Sequence, residues 1–155
     1  MARRPVAFVA AIVLFLEAFG IAFVNLVLGK VADNQHMSLA GMDSGAIANG
    51  AWAAGAVFGL YLLLCAYFLL RTGIKDRAPG RFGKILLITC AVVHGVLGAL
   101  TVGLVGWPAF VLMMIVLALI VWTLVAYDRE RPVPAVADVP PGETGPGGNG
   151  APAAA

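Results

Sequence analysis

Residues 5–28 read PVAFVAAIVLFLEAFGIAFVNLVL, an apolar run of 24 positions broken only by Glu17 and Asn25. The hydrocarbon core of a bilayer is about 30 Å thick and needs roughly 20 apolar residues in a helix. This run is therefore long enough to cross once. A helix on the surface of a soluble domain would carry one apolar stripe and one polar face, whereas this run is apolar all round. Three more runs of the same kind follow at 46–70, 82–105 and 108–127. The reading is an all-α polytopic membrane protein. Residues 1–127 form an antiparallel four-helix transmembrane bundle, and residues 128–155 form a disordered Pro/Gly/Ala-rich cytoplasmic tail.

Composition agrees with the runs. Hydrophobic residues make up 61% of the chain and charged residues 12%, against roughly 25% charged in soluble domains; the mean hydropathy is +0.96. A cleaved signal peptide is the alternative for the first run, since Arg3 and Arg4 precede it and Ala18-Phe19-Gly20 is a permissive site. A signal h-region spans only about 7–15 residues, so an uncleaved anchor is expected.

The basic residues orient the spans. Arg3, Arg4, Arg71, Lys75, Arg77, Arg81, Lys84, Arg129 and Arg131 fall on one side and Lys30 on the other. Basic residues near span ends stay in the cytoplasm, which predicts a multi-pass protein of the cell membrane with both termini cytoplasmic. The net charge of +2 then reflects topology and anionic headgroups, and no nucleic-acid partner is expected. Pro79-Gly80 marks the turn joining spans two and three. Only Gly106 and Trp107 separate spans three and four, with Pro108 in the first turn of the last helix, so these two must be neighbours. From residue 132 onward, six prolines and five glycines with no basic residue cannot bury enough apolar surface to offset the entropy of ordering.

Glu17 lies at the centre of its run, where a charge costs roughly 2.5–3.5 kcal/mol. Fifteen Val, Ile, Leu and Phe residues in the same run contribute about 0.3–0.6 kcal/mol each, so the span still inserts. His94 lies in the middle of the third span. Counting from the inner boundary at 1.5 Å per residue, the two side chains differ in depth by roughly one helical turn, within reach if their helices touch. This candidate intramembrane polar pair is either a hydrogen bond that fixes packing or a proton relay. Beside His94 on its face are Cys90, Gly98 and Thr101.

Ala91, Gly95, Ala99 and Gly103 place a small residue at every fourth position of span three, and Ala51, Gly55 and Gly59 do the same in span two. Such stripes let backbones approach closely in lipid and are the expected helix-packing surfaces, inside one chain or, alternatively, between copies. Asn25 and Asn49 offer amides for bonds across helices, with capping at the headgroups the alternative for Asn49. Trp52, Trp107 and Tyr127 sit near the boundaries as interfacial anchors. Cys65 and Cys90 lie in the inner halves of their spans, too deep for a disulfide on the oxidising side. No paired ligand motif occurs, and His36-Met37 with Met42-Asp43 is too sparse a set for a copper site, so neither a metal nor a cofactor is expected.

Arg3-Arg4 before the first span, the acid within Leu14-Phe15-Leu16-Glu17-Ala18, the Ala/Gly/Val/Leu bias and the Pro/Gly/Ala tail resemble the small four-span integral membrane proteins of high-GC actinobacteria. The resemblance covers the whole chain, implies a four-span fold and carries no activity. The expected function is that of a non-catalytic accessory, assembly or interaction protein acting through transmembrane helix contacts. Its partners would be the lipid bilayer and a membrane protein or a second copy of itself. The alternative is a small proton-linked transporter or channel component with Glu17 and His94 in its path. An enzyme is not expected, because no nucleophile–base arrangement can be assembled from these residues.

Overall fold

The computed structural model describes residues 3–36 and 41–128; residues 129–155 of the predicted tail, with Arg129 and Arg131, and Met37 lie outside the described residues, while Asp128 ends the last helix. The described chain is all-helical: α1 is Arg3–Asn34, α2 Ser44–Lys75, α3 Arg81–Leu104 and α4 Trp107–Asp128. Each of the four is long and apolar enough to cross a membrane.

The first two helices overrun their sequence limits because neighbours hold the extra turns. Residues 29–34 look polar enough for a loop, yet Gly29 and Ala32 are buried. The indole of Trp52 lies directly on Gly29, and its Nε1 donates to the Leu26 carbonyl at 3.3 Å. At the other end Thr72 and Gly73 are buried, Gly73 against Ala7 and Phe8, so α2 continues to Lys75. It stops where Asp76 turns left-handed at φ 50°, a conformation that a short polar side chain tolerates. Both helices have 32 residues and so measure about 48 Å, longer than a hydrocarbon core. Between α3 and α4 the turn needs a glycine. Gly106 has φ 115°, and the amides of Val105 and Gly106 both donate to the Thr101 carbonyl, at 2.9 and 2.8 Å.

Helix α1 packs most extensively on α2, and α3 packs chiefly on α4. Helix α4 also touches α1, while α3 meets α2 only narrowly. The small residues of span two therefore serve α1. A Cβ on Gly59 would stand 3.3 Å from the Ala18 carbonyl oxygen, and one on Gly55 would stand 2.5 Å from Asn25 Cβ; Ala51 is half-buried on the same helix. The small residues of span three behave differently along their length. Ala91 is buried and Gly95 faces Leu117, but Ala99 is exposed and Gly103 has nothing within 4 Å. Four residues turn a helix about 40° past a full revolution, so a strict four-residue row drifts off the contact. The row that stays buried is Gly83, Leu87, Cys90, His94 and Gly98, which mixes steps of three and four, and Gly98 abuts Met114.

Leu14, Leu62, Leu69, Leu87 and Ile120 are fully buried and bring all four helices into one core. No described residue of α3 beyond Gly98 is buried, and none of α4 before Val116, so this core occupies the half of the structure nearer Arg3, Asp76 and Asp128. Ion pairs close that end. Arg3 holds both Asp76 oxygens at 2.9 and 3.0 Å, Arg4 reaches the same carboxylate at 3.1 Å, and Lys84 pairs with Asp128 at 2.9 Å. The Arg3 guanidinium also sits 5.5 Å from the centre of the Tyr127 ring, and Tyr127 is buried.

Two outcomes are expected. Gly55→Ala should destabilise the protein by about 1–3 kcal/mol through overpacking against Asn25, measured by unfolding in mixed micelles, whereas Gly103→Ala should leave stability unchanged or raise it by less than about 1 kcal/mol. The hydrogen bonds from Arg3 hold the Asp76 carboxyl below its ordinary pKa. The folded form thus gives up that proton more readily than the unfolded chain, and the contribution is complete above the usual carboxylate range and lost as pH falls below it. Asp76→Asn should flatten the acid limb of the denaturation profile; an unchanged limb would remove the clasp from the account.

Candidate functional site: an acid and an imidazole joined across the helices

His94 is almost wholly buried, and its two ring nitrogens have separate partners. Nδ1 lies 2.8 Å from the Cys90 carbonyl oxygen one turn earlier in α3. A carbonyl only accepts, so Nδ1 carries a hydrogen in either charge state of the ring. Nε2 faces the Glu17 carboxyl, 3.0 Å from Oε2 and 3.2 Å from Oε1. With Nδ1 committed, a single proton lies between Nε2 and the carboxyl. It sits on nitrogen in an ion pair, or on oxygen in a neutral acid–imidazole bond. The unit carries no net charge in either form, which answers how an acid is accommodated in the middle of an apolar helix.

Helices α1 and α3 are not principal packing partners, so this bond ties together two elements that otherwise meet through α2 and α4. It lies at the limit of the four-helix core, since Ala18 on α1 and Gly98 on α3 are close to the last residues buried with it. The two side chains differ in exposure: His94 is 1% exposed and Glu17 20%.

Around the imidazole are groups that the sequence reading did not join to it. The Cys90 thiol is 3.6 Å from Nδ1, and the Cys65 thiol lies beside both Cys90 and Tyr61. The Tyr61 hydroxyl donates to the Leu86 carbonyl at 3.4 Å, linking α2 to α3. Tyr61 was open to detection from sequence, being a phenol in mid-span far from either boundary; the proximity of the two cysteines was not, because it depends on the rotation of α2 against α3.

The Asn25 amide and three threonines bond within their own helices. Asn25 Nδ2 donates to the Ile21 carbonyl at 2.9 Å, so this amide does not bridge helices as the sequence suggested. Asn49 is exposed. Thr89, Thr101 and Thr123 donate to carbonyls three or four residues back, at 3.0, 2.7 and 2.8 Å, as is common for hydroxyls in apolar helices. Among the described residues no three His, Cys, Asp or Glu side chains gather as a metal-binding set.

A double-mutant cycle of Glu17→Gln and His94→Ala should return a coupling of about 0.6–1.7 kcal/mol, the range of hydrogen bonds between transmembrane helices. It is read from unfolding in mixed micelles, and additive single effects would mean that the pair contributes nothing. No family model, curated protein or solved structure matches the chain.

Proposed function

We propose that this chain is a multi-pass protein of the cell membrane, an antiparallel four-helix bundle with both termini on the cytoplasmic side. It is non-catalytic and acts through contacts of its helices, as an accessory, assembly or interaction subunit. The carrying observation is that polar side chains in mid-helix are consumed inside the chain. Glu17 bonds to His94, Tyr61 to the Leu86 carbonyl, and Asn25, Thr101 and Thr123 to their own backbones. A conducting path needs polar groups left open to a passing ion or proton; a subunit that works by packing does not. The segments between helices support the same reading. Residues 35–43, 76–80 and 105–106 are too short to form a domain of their own, so most of the surface that the described residues offer a partner is helix.

One observation favours proton-linked transport as the second reading: Glu17 is 20% exposed while its carboxyl contacts a buried imidazole.

Purification in a mild detergent after crosslinking in cells should recover the chain with another membrane protein or a second copy; a chain recovered only as a monomer would overturn the first reading. In proteoliposomes Glu17→Gln should leave proton flux at the level of the original chain. Flux in the original chain that disappears in this variant, with the helical spectrum retained, would select transport.

A further inference from the structure

The turn between α2 and α3 forms a pocket of about 420 Å³ whose rim carries Arg71, Lys75, Arg77 and Arg81. None of these four cations has an ion pair among the described residues. The turn does contain an acid, Asp76, but Arg3 and Arg4 of α1 hold it, so it does not neutralise the pocket. Four like charges gathered without a counterion oppose one another, and an anion placed among them removes the opposition. Arginine supplies paired donors that match phosphate oxygens.

The apolar surroundings distinguish one kind of phosphate from another. Phe82 beside the pocket is 64% exposed, with its ring 5.8 Å from that of Phe68. A second groove shares Arg71 and Lys75 and continues along α2 over Tyr67, Leu70 and Ile74. A free phosphate would fill the charged part and leave this apolar extension empty, whereas an amphiphile fills both. We propose that this turn binds one anionic phospholipid, its phosphate among Arg71, Lys75, Arg77 and Arg81 and an acyl chain along Tyr67, Leu70 and Ile74. The inference rests on the membrane reading above and is independent of which partner the helices contact.

The test is titration of the full chain in maltoside micelles with phosphatidylglycerol or phosphatidylcholine, counting bound lipid by native mass spectrometry. One phosphatidylglycerol should bind at least about tenfold more tightly than phosphatidylcholine. Arg71→Gln combined with Arg77→Gln should abolish that preference, and Phe82→Ala, which removes no charge, should weaken binding severalfold. Lys30→Gln, at the other end of α1, should change nothing, and inorganic phosphate at millimolar concentration should not displace the lipid. The altered arginines are exposed, and an unchanged helical spectrum verifies folding. Equal binding of the two lipids, equal weakening by Lys30→Gln, or displacement by inorganic phosphate alone would overturn the proposal. A partner recovered by crosslinking without any lipid preference would sink this inference and leave the helix-contact reading standing.

Discussion

Helices surrounded by apolar material gain little from hiding apolar side chains, so close approach of backbones has to supply the attraction. In this chain α1 and α2 achieve it through Gly55, Gly59 and Gly73, each seated against α1 where a larger residue would meet Asn25, Ala18 or Ala7. That contact extends to both ends of the pair. Near one end Trp52 covers Gly29 and bonds to the Leu26 carbonyl; at the other, Arg3 closes on Asp76. The shorter hairpin of α3 and α4 leans on this pair only over the half nearer Asp128, where Leu87, Cys90, His94, Val116 and Ile120 are buried.

At the limit of that shared core, Glu17 and His94 meet. Their bond is economical in an apolar setting because one proton satisfies both groups and leaves no net charge. The Cys90 carbonyl matters as much as the acid, since by accepting from Nδ1 it orients the ring and leaves Nε2 directed at α1. A hydrogen bond between helices is worth little more in lipid than in water, so the contribution of this one lies in register. It fixes α3 against a helix with which it otherwise has little contact.

The charges at the end that holds Arg3, Asp76 and Asp128 are sorted into two groups. Asp76 and Asp128 are matched to Arg3, Arg4 and Lys84 and bind the helix ends to one another. Arg71, Lys75, Arg77 and Arg81 have no such matches among the described residues and line the pocket at the turn. The division follows from geometry. Asp76 lies at the end of α2 beside the start of α1, so the acid within the basic loop serves a different helix from the cations that flank it in sequence.

The sequence by itself determined that there are four long apolar helices and where their turns fall, because run length, Pro79-Gly80 and Gly106 are local facts that local physics interprets. It also singled out Glu17 and His94, since a titratable group in mid-run is conspicuous without knowledge of any neighbour. Only the tertiary structure decided which faces meet. A small-residue row looks the same whether or not a helix lies opposite: Gly55 and Gly59 have α1 against them, while Ala99 is exposed and a Cβ on Gly103 would meet no described residue within 4 Å. The extra turns of α1 beyond Leu28, the burial of Tyr127 under Arg3 and the gathering of Tyr61, Cys65 and Cys90 near His94 belong to the same class. Each depends on the rotation and offset of one helix against another, and apolar runs that are uniform around their axes carry almost no record of either.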